Sequence, residues 1–366
     1  MNFDFSDDQK LLRKTARDFL TEHAPLSLCR AVLESDASYS DTLWKSVAEL
    51  GWLGTAIPEE CGGAGFGRLE LAVMAEELGR ALAPIPFASS VYLATEAIVL
   101  AGSAAQRQEY LPKLASGEWI GTFAQAEKPG EAGAGTTTTT FTNGTLTGAK
   151  LPVPDGDVAH CAVVTAKQGT NIVLALVDLS ARGVTRQAVR SIDPSRTLAS
   201  IRFDAAPAQL LGEATTGAAT LQKLLDRAAV LVAFEQIGGA TRAFEITREY
   251  CLSRYAFGRP VASFQAIKHR LADLYVEIEL ARSNAYYGAW ALSTDSPELG
   301  VAACGARASA SDAFDLASQE MIQLHGGVGY TWEFDCHLFY RRAKYLGALL
   351  GSAHQWREQL MQRLEA

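Results

Sequence analysis

The sequence predicts an α+β fold with an N-terminal α-helical domain (1–118), a small middle β-barrel domain (119–213) and a C-terminal four-helix bundle (214–366). Three observations predict it. Apolar residues recur at helical spacing in the first and last thirds of the chain. Short Thr-rich and alternating apolar stretches, separated by turn sequences, lie between them. The length of 366 residues also exceeds what one small core requires, which indicates two or three packed units.

The N-terminal domain begins with a helix that starts at Ser6. Ser6 can accept a hydrogen bond at the helix start, and Gln9 three residues later can complete a capping box. Apolar residues then follow at helical spacing, namely Leu11, Leu12, Ala16, Phe19 and Leu20. Similar patterns predict helices at 40–51, 68–82, 91–102 and 104–116, with a break at PEECGG (58–63).

The middle domain is predicted to consist of short strands. Its Thr-rich and alternating apolar stretches are TTTTTFT, HCAVVTA, NIVLALVDL and IRFD, all within residues 136–213. Asn143-Gly144, Asp155-Gly156 and Gly169-Thr170-Asn171 supply residues that suit hairpin turns. Short strands joined by such turns are typical of a small barrel or a sandwich.

The C-terminal domain is predicted to contain long helices at roughly 217–253, 263–293, 296–324 and 338–363. We expect Ser263 to cap the second of them. Its apolar stripe comprises Leu271, Leu274, Tyr275 and Ile278. Long amphipathic helices of this kind usually form a bundle.

Composition argues against several classes of function. The chain has 33 Lys and Arg residues against 41 Asp and Glu residues, which gives a net charge of −8. It also has no long basic run. Both features disfavour a surface that binds nucleic acid or an anionic membrane. None of the six cysteines pairs at C-x-x-C spacing, and the acidic start MNFDFSDDQK does not resemble a targeting peptide. We therefore expect reduced thiols and a cytoplasmic location. No apolar run reaches the roughly 18 residues of a membrane helix.

Two kinds of site are not supported by the motifs. CGGAGFG (61–67) is Gly-rich, but no strand precedes it and its spacing matches neither dinucleotide nor P-loop patterns, so a helix–helix turn is the better interpretation. The six histidines are scattered without the spacing of metal ligands, so no metal site is predicted.

Two further motifs each allow two interpretations. In RYAFGRP (254–260), an arginine beside an aromatic residue suits a pyrophosphate next to a flat ring, although Arg254 could instead neutralise a helix C-terminus. In QLHGGVGY (323–330), the three glycines could let backbone amides approach a ligand, or could simply end a helix.

Over essentially its whole length, the sequence resembles the acyl-CoA dehydrogenase family. The matching pieces occur in the order and spacing of the family: FSDDQKLLRKTARDFL, LGWLGTAIPEECGGAGFG, MAEELGRALAP, RYAFGRPVASFQAIKHRLAD and QLHGGVGYTWE. PFASSVYLATEAI and RRAKYLGALLGSAH look most like a heteromeric subgroup associated with steroid side chains and other bulky CoA thioesters.

The resemblance implies an oxidoreductase that desaturates a CoA thioester between its α and β carbons. In the family, a glutamate removes the α-proton while the β-hydride passes to FAD, and an electron-transfer flavoprotein accepts the electrons. Such a step requires a base held beside a polarised thioester, while the flavin supplies the redox chemistry.

The sequence departs from the family where the chemistry takes place. Leu350 stands at the usual position of the base, and Ala228 stands at the alternative position on the preceding long helix. Ala126 replaces a hydroxyl residue of the flavin cradle, while Pro152 and Pro154 replace its Trp and Thr. Leucine and alanine cannot accept a proton, and proline offers no N–H to a flavin oxygen.

The other half of the cofactor site is retained. Five residues match family positions that reach across a subunit interface to the pyrophosphate and adenosine of the neighbour's FAD: Arg254, Phe257, Gln265, Gln323 and Gly327. The first hypothesis is therefore one subunit of an α2β2 acyl-CoA dehydrogenase, whose homologous partner supplies the catalytic glutamate.

Two alternatives remain open at this point. The chain could be a self-sufficient homo-oligomer that uses Glu235, two helical turns beyond Ala228, as its base. A glutamate among apolar residues could have a raised pKa, although a helix-surface or interface role is the preferred interpretation of Glu235. The chain could also be a non-catalytic scaffold subunit, which the retained Arg254 and Gly327 motifs disfavour.

Overall fold

The computed structural model describes residues 5–130 and 136–365 of the chain. Within them the elements follow one another as helices, a sheet and helices again, which confirms the predicted α+β fold class. The N-terminal helices are α1 (Asp7–His23), α2 (Leu26–Leu33), α3 (Asp41–Glu49), α4 (Arg68–Arg80), a π-helix (Ala88–Thr95), α5 (Glu96–Ala101) and α6 (Ala104–Ala115).

Helix α1 starts where the capping pattern predicts. Ser6 Oγ accepts a hydrogen bond from the Gln9 N–H at 3.2 Å, and Gln9 Oε1 accepts one from the Ser6 N–H at 3.0 Å. Both halves of the capping box are thus present, and the local sequence defines this helix start. The helix predicted at 91–102 begins earlier, as the buried π-helix, and α2 was not predicted.

The middle sheet contains β1 (Gly121–Ala124), β2 (Thr140–Thr142), β3 (Thr145–Pro154), β4 (Cys161–Gln168), β5 (Asn171–Asp178), β6 (Val184–Val189), β7 (Leu198–Pro207) and β8 (Gln209–Leu211). Their order is β6-β7-β3-β2-β4-β5-β8, and β1 pairs in parallel with β4. Asn143 (φ 51°) and Gly144 (φ 74°) join β2 to β3 through two left-handed residues, as the Asn-Gly pair predicts.

The C-terminal helices are α7 (Gly217–Ser253), α8 (Gln265–Ser293), α9 (Leu299–His325), α10 (Cys336–Ala348) and α11 (Ala353–Glu365). The prediction of one helix at 338–363 was wrong, because residues 349–352 separate α10 from α11. The prediction that Ser263 caps α8 was also wrong. Phe264 occupies the N-cap position, and no side chain caps that helix start.

Spatially, the chain divides into two compact units. One comprises Met1–Ala31, Leu69–Ala83 and Ala229–Ala366, and the other comprises Val32–Arg68 and Pro84–Ala228. The sheet lies wholly in the second unit, and α8 to α11 lie in the first. The domains predicted with boundaries at 118 and 213 are consecutive stretches of sequence, whereas each of these two units combines separate stretches. The predicted boundaries therefore stay a prediction. Within the described ranges, no helix has both the length and the hydropathy of a membrane span.

Candidate functional site

The first candidate segment is a two-stranded hairpin at the end of α7. Strand β9 (Tyr255–Ala256) pairs antiparallel with β10 (Arg259–Pro260). Phe257 (φ 52°) and Gly258 (φ 77°) form the turn in left-handed conformations. The Phe257 side chain at the tip is 96% exposed. The ring is thus available to contact another molecule.

Arg254 lies at the base of this hairpin and faces solvent. Its backbone N–H donates to the Tyr250 carbonyl at 2.8 Å, and its carbonyl accepts from the Val261 N–H at 2.8 Å. Across the described residues, its guanidinium forms no hydrogen bond and no ion pair. By contrast, the Arg259 guanidinium lies 4.0 Å above the Phe264 ring. The Arg254 backbone is therefore fixed while its charged group remains available to an anion.

The second candidate segment is the glycine turn after α9 (Gly326–Tyr330). A Cβ added at Gly329 would lie 2.3 Å from the Ile322 carbonyl oxygen, so packing within the chain requires that glycine. A Cβ added at Gly327 would meet no atom within 4 Å. Packing within the chain therefore does not explain Gly327, and open space beside its backbone would admit a ligand.

Aromatic stacking brings the two segments together. The Tyr250 and His325 rings stack with centroids 4.2 Å apart, and the Tyr250 hydroxyl donates to the His325 carbonyl at 3.3 Å. This contact joins the last turn of α7, which leads to Arg254, to the last turn of α9, which carries the exposed Gln323. Gln265 is exposed at the first position of α8.

These residues fit the pyrophosphate and adenosine end of FAD. An exposed guanidinium can form paired hydrogen bonds to phosphate oxygens, and an unobstructed glycine allows close approach of the backbone. Exposed aromatic rings, Phe257 and the 76%-exposed Tyr330, could contact a flat adenine. None of the five residues predicted from the sequence has a carboxylate that could accept a proton.

The segment that corresponds to the family's flavin-ring cradle has fewer hydrogen-bond donors than the family pattern. The Ala126 carbonyl accepts a hydrogen bond from the Leu151 N–H at 2.8 Å, so this segment runs beside β3. The register of β3 against β7 shifts between Lys150 and Val153. Pro152 and Pro154 lie in and after this irregularity and have no N–H to donate. The chemistry of this edge does not fit the usual hydrogen bonds to a flavin ring.

A buried ion pair that the sequence did not reveal lies beside this edge. The fully buried Lys150 Nζ donates to Glu127 Oε1 at 2.9 Å, to the Gln125 carbonyl at 2.9 Å and to Thr165 Oγ1 at 3.1 Å. Glu127 also accepts from the backbone N–H groups of Thr138 and Thr139, at 2.9 and 2.8 Å. The signal was a lysine at an inward position of a strand, a placement that requires a partner.

The protonation of Glu127 follows from these contacts. Burial raises its pKa, but the hydrogen bonds from Thr138, Thr139 and Lys150 outweigh burial and lower the pKa to about 2. Glu127 is thus ionised at neutral pH and balances the charge of Lys150. A carboxylate held in this way is a structural anion, because its acceptor positions are already occupied.

The loop at the usual base position is rigidly held but carries no carboxylate. Leu350 has a left-handed backbone (φ 63°), which is unfavourable for leucine. Its carbonyl accepts a hydrogen bond from Trp356 Nε1 at 3.1 Å, and the Leu349 carbonyl accepts one from Arg307 at 2.5 Å. Such strain persists only where neighbouring contacts enforce it.

Arg307 is a second buried charge that sequence reasoning missed. Its guanidinium is fully buried and donates to Gln236 Oε1 at 2.7 Å, to Ser311 Oγ and to the carbonyls of Leu346 and Leu349. Burial lowers its pKa to about 9. The sequence signal for this site was a single cation within the Ala-rich stretch of α9. Arg307 holds the end of α10 through its hydrogen bonds to the carbonyls of Leu346 and Leu349.

The other two positions considered for the base, Ala228 and Glu235, both lie buried on α7. Ala228 is fully buried on α7 and has no group that can accept a proton. Glu235, seven residues later on the same helix, is 3% exposed. Its role as a base stays a prediction, since a catalytic carboxylate must also be reachable by the substrate.

Comparisons with known proteins agree with one another. The model for the acyl-CoA dehydrogenase N-terminal domain matches residues 6–118, and that for the C-terminal domain matches residues 215–365. Acyl-CoA dehydrogenase IpdE2 of Mycobacterium tuberculosis is 36% identical over 361 residues, which covers 98% of this chain and 97% of that protein.

Two solved structures are similar over nearly the whole chain. One is a variant of the Tcur3481-Tcur3483 steroid ACAD, with a TM-score of 0.90 and 32% identity over 98% of each chain. The other is the ChsE4-ChsE5 complex from Mycobacterium tuberculosis, with a TM-score of 0.90 and 26% identity over 100% of this chain and 99% of that one. The resemblance predicted from the sequence is thereby confirmed.

Proposed function

The chain belongs to the acyl-CoA dehydrogenase family, FAD-dependent oxidoreductases that act on CH–CH bonds, and from this premise we propose that it is one subunit of an α2β2 enzyme. In this enzyme, a homologous partner chain supplies the catalytic glutamate and most contacts to the flavin ring. This chain supplies the clamp for the pyrophosphate and adenosine of the partner's FAD.

The observation that carries the proposal is the exposed guanidinium of Arg254, which has no hydrogen-bond or ion-pair partner among residues 5–130 and 136–365, three positions before the exposed Phe257. A cation with a fixed backbone and no ion partner among the described residues suits an anionic group from another molecule. Gly327, whose open side would tolerate a Cβ, supports the same conclusion, because packing within the chain gives no reason for a glycine there.

The absence of a base in the usual loop supports the division of labour. Arg307 and Trp356 hold the backbone around Leu350 in a strained conformation, yet the side chain is apolar. A loop maintained at this cost without its carboxylate is consistent with an ancestral site whose chemistry has moved to a partner. Pro152 and Pro154 agree with this, because they remove hydrogen-bond donors at the flavin-ring side.

In the proposed reaction the partner's glutamate would take the α-proton of a CoA thioester, and bound FAD would supply the hydride-accepting chemistry. This chain binds and orients the diphosphate through Arg254, while Gln265, Gln323 and Phe257 contact the adenosine side. The electrons then leave to an electron-transfer flavoprotein. Similarity to a steroid ACAD at 32% identity favours a steroid side chain or another bulky acyl group as substrate.

The test compares the chain purified alone with the chain co-expressed with related acyl-CoA dehydrogenase chains. We expect little or no FAD on the isolated chain, measured from its absorbance spectrum. A co-purifying complex with the mass of two copies of each chain by light scattering should carry FAD and desaturate a CoA thioester. One FAD per chain in an active homo-oligomer of the isolated chain would contradict the proposal.

A further inference from the structure

The sheet ends at β6, and the outer side of this strand is open. In the strand order β6 lies at one end, with β7 as its neighbour. None of its six residues is buried, so water reaches both of its faces. Among residues 5–130 and 136–365, no group pairs with the outward backbone N–H and C=O groups of residues 185–189. Six residues of strand span about 20 Å, which is long enough for another strand to add.

Arginines surround this open strand. Residues 182–204 contain five arginines and two aspartates, in a chain whose net charge is −8. Four of the five arginines are exposed. Arg182 precedes β6, Arg186 lies within it, and Arg202 of β7 lies directly opposite Thr185 of β6. The open edge is therefore a positive region on an acidic protein.

These arginines leave their charge available to another molecule. Neither Arg182 nor Arg202 forms a hydrogen bond or an ion pair with any residue that the structure describes. Arg186 donates to uncharged acceptors, the carbonyls of Gly156, Asp157 and Ala159, at 3.3, 3.2 and 2.7 Å. Its guanidinium is thereby held in place without being neutralised. Salt screens charges beyond about 8 Å, so this local region, and not the net charge of the chain, acts on a molecule at the edge.

The arginines lie on both faces of the sheet. Residues directly opposite in an antiparallel pair share a face, so Arg202 lies on the face of Thr185. Side chains alternate along a strand, and Arg186 therefore lies on the other face. Charges on an edge strand repel the same edge of a second copy and so protect against aggregation. The same charges attract a strand of opposite sign, and they would meet its carboxylates on either face.

We propose that β6 is a docking edge for an acidic, extended segment of another protein, which adds to the sheet as a further strand. The backbone of that segment would pair with the open N–H and C=O groups, while its carboxylates would face Arg182, Arg186 and Arg202. Nucleic acid would use the arginines but leave the backbone groups unpaired, so a peptide fits the edge better. The edge contains none of the candidate clamp residues, and the inference does not rest on the proposed function.

The experiment measures binding of fluorescent peptides to the full chain by anisotropy. The probe is an octapeptide of alternating glutamate and valine. One control peptide carries lysine in place of glutamate, and another keeps the glutamates but carries proline in place of valine, which prevents strand pairing. We expect only the first peptide to bind. Arg182→Gln and Arg202→Gln should each weaken its binding by about 2- to 5-fold. Lys45→Gln, which removes an exposed cation of α3, should bind as the parent does.

Proline substitutions within β6 test the backbone pairing. The N–H groups of an edge strand point alternately to its neighbour and outwards, so one of the variants Gln187→Pro and Ala188→Pro removes an outward N–H. That variant should keep the melting temperature of the parent and bind the acidic peptide at least about 10-fold more weakly. The other should melt several degrees lower, because it loses a bond to β7.

Four results would overturn the proposal. The acidic peptide could fail to bind, or a control peptide could bind equally well. The proline variant that melts like the parent could bind normally. A single-stranded RNA of equal charge could bind more tightly than the peptide, which would make the edge a general polyanion surface.

Discussion

Gly79 on α4 packs directly against the backbone carbonyl of Glu235 on α7. A Cβ built at Gly79 would lie 1.8 Å from the Glu235 carbonyl oxygen, and one built at Gly238 would lie 1.8 Å from the Glu76 carbonyl oxygen. The contact is thus reciprocal, with a glycine of each helix against the backbone of the other. No side chain can be inserted at either position without separating the two helices.

We expect Gly79→Ala to destabilise the protein by about 2–4 kcal/mol, because the added methyl group would collide with backbone rather than with a movable side chain. The measurement is the midpoint of unfolding in urea. Gly305→Ala on α9 is the control, since a Cβ there meets nothing within 4 Å. It should stabilise the helix by up to about 1 kcal/mol. Equal effects of the two substitutions would contradict this account of the crossing.

Glu235→Gln should leave turnover of the assembled enzyme within about 2-fold of the parent. The side chain is 3% exposed, and the proposed base lies in the partner chain. If Glu235 were the base, its loss would instead lower turnover by about 10²- to 10⁴-fold. Glu249→Gln, an exposed position on the same helix, controls for the removal of one charge. A selective loss of turnover in Glu235→Gln would favour a self-sufficient enzyme.

Acid should weaken the protein partly through Glu127. A glutamate in an unfolded chain titrates near pH 4.3, whereas hydrogen bonds lower the folded-state pKa of Glu127 to about 2 despite burial. The resulting stabilisation, about 2 kcal/mol, is complete above about pH 5 and is lost as the pH falls towards 2. Glu127→Gln should therefore flatten the decline in urea midpoint between these pH values. Parallel curves for the two proteins would show that Glu127 is not the titrating group.

Arg254→Ala should release FAD from the co-expressed complex. Loss of charge-assisted hydrogen bonds to a diphosphate weakens binding by about 10- to 100-fold, so flavin should be depleted on gel filtration while the subunits remain together. Arg190→Ala, an exposed arginine of the sheet-containing unit, should retain its flavin. Full retention of FAD by Arg254→Ala would remove the clamp role.

Features set by neighbouring residues were predictable from the sequence. The Ser6–Gln9 capping box and the Asn143–Gly144 turn depend on side chains within three positions of one another, and both occur as expected. The Ser263 cap was not predictable in the same way. Its position falls inside a 3-10 turn (Val261–Ser263), and the helix start moves to Phe264.

Features set by distant residues could not be read from local patterns. The apolar periodicity of residues 338–363 continues past the break after α10. Arg307, some 40 positions earlier, and Trp356 fix the backbone there in a conformation that leucine does not favour. The Glu127–Lys150 pair is similarly non-local. The candidate clamp residues were found through family resemblance, because nothing in their local sequence distinguishes them from an ordinary helix end.

The exposed rings of the hairpin tip and of the glycine turn after α9 affect how the cell handles this chain. Phe257 and Tyr330 keep 96% and 76% of their surfaces in water when the chain is on its own. Apolar surface of this kind promotes aggregation and recognition by chaperones and proteases. In the proposed α2β2 enzyme, surplus copies without a partner would then be cleared faster than assembled ones, so balanced synthesis of the two chains would set the amount of enzyme.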